Sequence, residues 1–206
     1  ADVLLLPDFS LENKLINTGL NFIAGTDEVG RGAWAGPVTA AAVILDPKKI
    51  PNEINDSKKL TKNKRNQLSE EIIATSISYS VIHISVFEID KINILEASML
   101  AMRNAAHSLN KAPSHILIDG NKIPTNLNCP ATAIVKGDNL SLTIAAASIL
   151  AKVARDQIME DLAEDFPKYG WETNVGYGTK AHIQGISQYG ITPHHRLSFK
   201  PIHKML

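Results

Sequence analysis

Two adjacent carboxylates, Asp27 and Glu28, belong to the segment Thr-Asp-Glu-Val-Gly-Arg-Gly at residues 26–32, directly after an apolar run. Two further apolar runs end in a carboxylate, at Asp119 and at Asp138. Carboxylates without histidine or cysteine partners are hard oxygen ligands, which suit Mg²⁺ or Mn²⁺ and are poor ligands for zinc. Hydrolysis of phosphate esters is the chemistry that most needs two such ions, one to activate water and one to stabilise the leaving oxygen.

These acids can work together only if the strands that carry them are neighbours. Adjacent strand residues face opposite sides of a sheet, so Asp27 and Glu28 can share a metal only where regular strand geometry ends, and the glycines that follow supply that break. If the strands ending at Asp27 and Asp119 lie side by side, their carboxylates converge with Asp138 close by. Each acid also has an ordinary interpretation, Asp138 as a helix N-cap and Asp119 as a turn former.

The elements expected around these acids indicate an α/β fold. Apolar runs rich in Val, Ile and Ala predict strands at about 20–26, 36–45, 77–86, 115–119 and 131–136. Apolar periodicity predicts helices at about 61–75, about 94–110, and from beyond Asp138 towards Asp165. The first three strands suit a meander and the last two follow longer connections, which predicts a mixed sheet flanked by helices. From Trp171 onwards we expect loops and a short helix.

Length and composition indicate one domain over residues 1–206, with a core at about 20–165 and a C-terminal segment at about 166–206. No run approaches the roughly 18 apolar residues of a membrane span, and no signal peptide is recognisable, so we expect a cytoplasmic protein. A single cysteine, Cys129, fits a reducing compartment and is interpreted as a buried apolar residue.

The net charge of zero would ordinarily argue against a nucleic-acid partner, but the charges are segregated. Seven basic residues and two acids lie between Lys48 and Arg65, and residues 180–206 contain four basic residues and no acid. Acids gather instead at residues 156–165. This distribution predicts a positive face for a polyanion, with ordinary solvated helix faces as the alternative.

Taken together, the motifs closely resemble bacterial ribonuclease HII over about residues 20–200. The segments that carry the resemblance, in the order of that family, are Thr26–Gly32 with Ala35–Val38, Asp56–Leu60, Leu117–Asn121, Val135–Asp138, Ala146–Asp156 and Gly176–His182. The resemblance implies a ribonuclease-H-like fold, a five-stranded mixed sheet with helices on both sides. It also implies metal-dependent cleavage of RNA in RNA–DNA hybrids and on the 5′ side of ribonucleotides embedded in duplex DNA, leaving 3′-hydroxyl and 5′-phosphate ends, as ribonucleotide excision repair requires.

The same resemblance assigns the residues of the site. The metal-binding and catalytic carboxylates would be Asp27, Glu28, Asp119 and Asp138, around two Mg²⁺ or Mn²⁺ ions. The substrate-binding residues would be Gly30, Arg31, Gly32, Ser57, Lys58, Lys152, Tyr177 and Arg196. The glycine-flanked loop at Arg31 would read the 2′-hydroxyl, and Tyr177, if it is not merely structural, would pack on the sugar of the next nucleotide. Ser57, Lys58 and Lys152 would contact phosphates, and Arg196 would line the DNA side.

Several residues lie outside this assignment. Asp156 is 18 residues beyond Asp138, roughly 27 Å along a continuous helix, and is interpreted as structural or solvated. His182, His194 and His195 are interpreted as polar contacts or surface residues rather than metal ligands. Other departures are Ala33-Trp34 where this family usually has Pro-Leu, and Val175 where lysine is common; for Trp34, packing is favoured over contact with nucleic acid.

Three rival classes of protein fit parts of the sequence. Ribonuclease HIII carries an N-terminal platform domain, for which about 20 residues before the first strand are too few. A phosphomonoesterase for small molecules would not need the Gly-Tyr-Gly motif or the basic segments. A non-catalytic nucleic-acid-binding module would use the acids structurally. A monomer is favoured, and residues 200–206 are too generic to indicate binding to a replication clamp.

Overall fold

The computed structural model describes residues 5–206. Within them the chain forms five strands, β1 Ile23–Val29, β2 Val38–Ile44, β3 Ser78–Ile84, β4 His115–Asp119 and β5 Ala131–Ile134. It also forms eight α-helices, α1 Ser10–Ile16, α2 Lys62–Thr75, α3 Val86–Ile92, α4 Ile94–His107, α5 Leu142–Asp165, α6 Trp171–Asn174, α7 Lys180–Tyr189 and α8 Lys200–His203. Residues 1–4, part of the predicted single domain, lie outside the described residues.

The sheet has the order β3-β2-β1-β4-β5. The first three strands pair antiparallel, as the predicted meander requires. β4 then pairs with β1, and β5 with β4, both in parallel. The predicted mixed sheet flanked by helices is confirmed. The predicted end of the first strand near residue 26 is wrong, because β1 continues to Val29 through a full antiparallel pairing with β2.

Helices cover both faces of the sheet. On one face α4 packs against β1, β2 and β3 around Met102, and on the other α2 and α5 pack around Leu68 and Ile149. Side-chain N-caps begin these helices where the sequence predicts, at Thr61 for α2 and at Asn93 for α4. Burial of these apolar faces, rather than helix propensity, supplies most of the stability of the layers.

Gly25 sets the distance between β1 and α5. A Cβ atom at this position would lie 2.5 Å from the backbone carbon of Thr143, in the first turn of α5. Only glycine therefore allows the N-terminal end of α5 to contact the strand. The same end of the helix follows Asp138, so this contact also determines how far Asp138 lies from Asp27.

The G25A substitution is expected to lower the free energy of unfolding by about 3 kcal/mol, because a backbone-to-backbone overlap cannot be relieved by a side-chain rotation. Denaturant unfolding measures this change. G19A is the matched control: Gly19 has φ +100° and open space around it, so only backbone strain of about 1 kcal/mol is expected there. Equal losses in the two variants would contradict the account of Gly25.

The C-terminal part is more helical than predicted. Instead of loops and one short helix, α6, α7 and α8 enclose their own apolar cluster, centred on Trp171, Ile186 and Ile202 and joined to α5 through Met159. Trp171 is fully buried. The apolar residues of this segment are separated by glycines and prolines, so their partners lie across turns and no helical period marks them in sequence. No helix within residues 5–206 is long and apolar enough to cross a membrane.

Candidate active site

Asp27 and Asp119 meet because β1 and β4 are parallel neighbours. Thr26 pairs with Ile118 in this register, so the two aspartates are the next residues of both strands. Strand alternation places Asp27 on the same side as Gly25, which is the side that α5 covers. Asp27 is buried, and its Oδ1 accepts a 2.8 Å hydrogen bond from the next backbone amide.

Asp138 reaches the same point from a 3-10 turn, Gly137–Asn139, that follows β5. Its amide donates a 3.3 Å hydrogen bond to Oδ1 of Asp119. One carboxylate oxygen each of Asp27, Asp119 and Asp138 lies within 4.8 Å of the others. The alternative of Asp138 as the N-cap of α5 is wrong, because Ser141 holds that position and its side chain caps the helix.

Glu28 lines the same cleft but does not join the group of three aspartates. Alternation accounts for this, since Asp27 and Glu28 start from opposite faces of β1. One Glu28 oxygen lies 3.7 Å from the Arg31 guanidinium, and the other is buried and has no hydrogen-bond partner among the described residues. A buried carboxylate oxygen is costly unless a cation or water satisfies it.

The pKa values of Asp27, Glu28 and Asp138 are shifted in the direction expected for carboxylates that need a cation. Burial, and then the charges of Asp119, Glu28 and Asp138, raise the pKa of Asp27 well above its ordinary value. Burial and the charge of Asp119 raise the pKa of Glu28, and burial raises that of Asp138. Like charges held this close disfavour full ionisation, and bound divalent cations would reverse that preference.

The donor set fits Mg²⁺ or Mn²⁺. The three converging groups are all carboxylates, and the buried oxygen of Glu28 beside them lacks a protein partner among residues 5–206. Oxygen donors without nitrogen or sulfur select hard cations. We therefore assign Asp27, Asp119 and Asp138 as the residues that would hold a divalent cation. Glu28 lines the same cleft beside them.

The repulsion in this cluster predicts how stability depends on pH. Because the pKa of Asp27 is raised in the folded protein, its contribution to stability is fully present below the ordinary value of 3.8 and is lost as the pH rises through the raised value. In chelator, D27N should therefore gain in unfolding temperature relative to the wild type as the pH rises from about 4 to about 8. Thermal unfolding of both proteins measures the difference. A gap that stays constant or shrinks with pH would contradict the raised pKa.

Lys58 supplies the positive charge nearest to the aspartates. Asp56 caps a 3-10 turn at Ser57–Lys59, and the Lys58 ammonium lies 3.0 Å from Asp138 and 3.2 Å from Asp56. Burial lowers the pKa of Lys58, but its hydrogen bond to Asp138 and the two carboxylate charges outweigh that effect and raise it. The Lys58 side chain is 74% exposed, so its ammonium is accessible from the solvent side of the cleft.

Eleven of the twelve predicted site residues line one cleft of about 430 Å³. They are Asp27, Glu28, Gly30, Arg31, Gly32, Ser57, Lys58, Asp119, Asp138, Lys152 and Tyr177. Lys152 also forms a 2.8 Å ion pair with Asp156, in agreement with the structural interpretation of that aspartate. The cleft therefore combines carboxylates with backbone loops, lysines and a tyrosine.

Arg196 is the exception, and its predicted contact with substrate is wrong. The residue is fully buried, and its guanidinium donates to the carbonyls of Gly30, Arg31, Gly36 and Pro37 at 2.7–3.0 Å. Arg196 therefore acts from beneath the loop: it fixes the backbone that carries the glycine-flanked arginine. Burial, and then the charge of Arg155, lower the pKa of Arg196.

Arg155 is a second buried arginine that the sequence analysis did not single out. It donates to the carbonyls of Ala35, Pro37 and Val175 at 2.6–3.0 Å, and so ties the loop of residues 30–37 to the segment before Tyr177. A Cβ atom on Gly30, which has φ +89°, would lie 2.2 Å from the Arg155 Nε. A spacing of four residues to Met159 on α5 is the sequence signal that places Arg155 on the inward side.

Glu12 is another buried residue near the site, and the sequence analysis did not identify it. Its Oε2 accepts hydrogen bonds from the hydroxyls of Ser141 and Thr143 and from the Thr143 amide, at 2.7–3.2 Å. Burial raises its pKa against the lowering effect of these bonds. Glu12 thus fastens α1 to the start of α5, directly after the turn that contains Asp138.

A five-stranded mixed sheet that gathers three aspartates in one cleft with Arg31, Lys58 and Lys152 defines a ribonuclease-H-like hydrolase of phosphodiesters. A family model described as Ribonuclease HII matches residues 24–202. The chain belongs to the ribonuclease HII family, whose members are endonucleases of RNA in RNA–DNA hybrids. The rival assignments to ribonuclease HIII, a phosphomonoesterase or a non-catalytic module are thereby excluded as family assignments.

Relatives and solved structures agree with this membership. The chain is 58% identical over 200 residues to a Ribonuclease HII from Ruegeria sp. (strain TM1040), covering 97% of this chain and 87% of that protein. It is similar to the ribonuclease H2 of Pyrococcus horikoshii OT3, with a TM-score of 0.76 and 28% identity over 90% of this chain and 97% of that one. The RNase HII in a PCNA:RNase HII complex from Archaeoglobus fulgidus gives a TM-score of 0.70 and 26% identity, over 87% and 96% of the two chains.

Proposed function

We propose that this chain cleaves, on the 5′ side of a ribonucleotide, both the RNA strand of RNA–DNA hybrids and duplex DNA that contains a single ribonucleotide. The products would carry 3′-hydroxyl and 5′-phosphate ends. One observation carries the proposal: the three aspartates share a single cleft with the Gly30–Gly32 loop and Tyr177. A phosphodiester beside the aspartates would therefore have its ribose within reach of that loop.

The carboxylates account for the hydrolytic step. Divalent cations held by Asp27, Asp119 and Asp138, with Glu28 beside them, would supply activation of water and charge stabilisation of the departing oxygen. Asp119 also accepts the amide of Asp138, which keeps two of the ligand side chains in a fixed relation. No protein nucleophile is needed, and within the described part of the chain the cleft contains no cysteine or histidine.

The loop at residues 30–32 is suited to recognise a ribose oxygen. The carbonyls of Gly30 and Arg31 are occupied by Arg196. Within residues 5–206, the amides of Arg31 and Gly32 donate no backbone hydrogen bond to the rest of the chain. The loop therefore presents free N–H donors, which can bind the acceptor lone pairs of a 2′-hydroxyl that DNA lacks.

The remaining residues of the cleft suit the strand on either side of that nucleotide. Lys58, Lys152 and Arg31 offer cationic groups to phosphate oxygens. The Tyr177 ring lies beside Gly32, since a Cβ there would be 3.5 Å from the ring. A ring in this place can pack on the next sugar and disfavour a 2′-hydroxyl there, which would mark an RNA-to-DNA junction.

Mapping the cut site in a DNA duplex with one ribonucleotide tests this function. Incision immediately 5′ of the ribonucleotide with a 3′-hydroxyl product is expected, and an all-DNA duplex should stay intact. Removal of a terminal phosphate only would indicate a phosphomonoesterase, and binding without incision would indicate a non-catalytic module. Cleavage of a continuous hybrid without incision of the one-ribonucleotide duplex would restrict the proposal to hybrids.

A further inference from the structure

His182 and His195 form a buried pair behind Tyr177. The Nε2 atoms of the two imidazoles lie 2.9 Å apart, and His182 Nδ1 lies 2.9 Å from the Tyr177 carbonyl oxygen. Both histidines are essentially unexposed, and Trp171 packs against them. Neither histidine lines the cleft, so their influence on substrate would have to pass through Tyr177.

The neighbours of the pair fix one tautomer for each ring. The indole N–H of Trp171 can only donate, so His182 Nε2, at 3.1 Å from it, is an acceptor. The Thr192 amide likewise makes His195 Nδ1 an acceptor, at 2.9 Å. His195 Nε2–H then shares the single lone pair of His182 Nε2 with the indole N–H, and His182 Nδ1–H donates to the Tyr177 carbonyl. Burial lowers the pKa of His195 to about 4 and also lowers that of His182, which agrees with two neutral rings.

The segment that this pair holds is strained. Val175 has φ +48° and Gly176 has φ +94°, and a β-branched residue such as Val175 rarely adopts the left-handed region. Such a backbone persists only where its surroundings fix it. The Gly176 carbonyl accepts the amides of Trp34 and Ala35. The next carbonyl, that of Tyr177, accepts hydrogen bonds from His182 Nδ1 and from the Thr179 amide.

Trp34 encloses the same segment. A Cβ on Gly178 would lie 2.3 Å from its indole ring, and the ring is tilted against His182 at a centroid distance of 5.9 Å. The packing interpretation of Trp34 thus agrees with its contacts. The segment 176–178 is held by an indole on one side and an imidazole on the other, and Tyr177, 36% exposed, extends from it into the cleft.

We propose that His182 and His195 are positioning residues for Tyr177: a relay of two neutral imidazoles fixes the Tyr177 carbonyl and thereby sets the ring against the sugar that follows the ribonucleotide. This inference rests on the proposed function. It assigns the pair a role in specificity, namely the preference for a deoxyribose over a ribose at that next position. Catalysis at the aspartates does not depend on it.

The test compares H182A, which removes the imidazole donor and leaves the Tyr177 carbonyl only the Thr179 amide, with H182N, whose amide N–H occupies the place of Nδ1–H. The readout is the ratio of kcat/KM for a one-ribonucleotide duplex to kcat/KM for a continuous hybrid. Loss of the one hydrogen bond should lower this ratio about tenfold in H182A, and H182N should restore most of it. H203A, an exposed histidine on α8, is the control and should leave the ratio unchanged.

Two further measurements separate positioning from general damage to the fold. When Tyr177 is already replaced by alanine, H182A should not change the ratio of the two kcat/KM values any further, because His182 acts through Tyr177. Imidazole ¹⁵N shifts of the wild type should show the Nδ1–H tautomer for His182 and the Nε2–H tautomer for His195. An unchanged ratio in H182A, an equal loss on both substrates, a loss that persists without Tyr177, or the opposite tautomers would overturn the inference. Failure of the wild type to cleave either substrate would instead refute the proposed function.

Discussion

Replacement of Asp119 by asparagine is expected to lower cleavage of an RNA–DNA hybrid by at least about a thousandfold, because loss of a ligand to the divalent cation removes several kcal/mol of transition-state stabilisation. Asparagine keeps the oxygen that accepts the Asp138 amide, so the turn at Gly137–Asn139 should persist. Affinity for the hybrid should change little, since the lysines and the loop backbone are untouched. Single-turnover cleavage and equilibrium binding measure the two quantities separately.

The matched control for D119N is E164Q, which neutralises an exposed acid on α5 far from the cluster. It should cleave at the wild-type rate. D27N should behave like D119N, because both side chains belong to the group of three aspartates. Turnover near the wild-type level in either aspartate variant would refute the assignment of these residues as metal ligands.

Loss of the Arg196 guanidinium is the second large effect expected. R196L would remove a donor from four carbonyls, and only that of Pro37 would keep another, from Arg155. Unsatisfied buried acceptors cost about 1–3 kcal/mol each before relaxation. We expect the free energy of unfolding to fall by about 3–5 kcal/mol. Hybrid cleavage should also fall in the fraction that remains folded, because the Gly30–Gly32 amides lose their fixed orientation.

R196K distinguishes charge from geometry. Lysine keeps a positive charge, but its single ammonium cannot donate to all four carbonyls that surround the planar guanidinium of Arg196. R196K should therefore recover only a minor part of the lost free energy of unfolding. Denaturant unfolding, with R103L as the control for an arginine outside the site, measures the stability. A fully stable R196L whose hybrid affinity is nevertheless lost would contradict the account and return Arg196 to direct substrate contact.

The sequence was sufficient to predict the sheet and the carboxylate cluster because both follow from local patterns. Apolar runs marked each strand, and an acid at or near the end of three of them predicted convergence once β1 and β4 were paired. The end of β1 was misplaced because Asp27 and Glu28 resemble loop residues, whereas pairing with β2 continues to Val29. That extension explains why Glu28 stands apart from the three aspartates.

The buried arginines and histidines that hold the loops of the cleft could not be predicted in the same way. Arginine is usually exposed, so Arg196 was assigned to substrate contact and Arg155 was left out. For His182 and His195 the sequence left open whether they make polar contacts or lie on the surface. The partners of these arginines and histidines lie from 3 to 166 positions away in sequence, and those of the two arginines lie at least 20 positions away. Contacts of this kind depend on how loops close in three dimensions. Periodicity indicates only that Arg155 faces inward from α5, and it does not indicate the partners.

The most direct test of the metal site is the rate of hybrid cleavage by metal-stripped protein as Mg²⁺ or Mn²⁺ is added. No cleavage is expected in EDTA. Either ion should restore incision in the wild type, and neither should restore more than a trace in D119N at the same concentration. Undiminished cleavage by the wild type in EDTA would contradict the conclusion that Asp27, Asp119 and Asp138 act by holding a divalent cation.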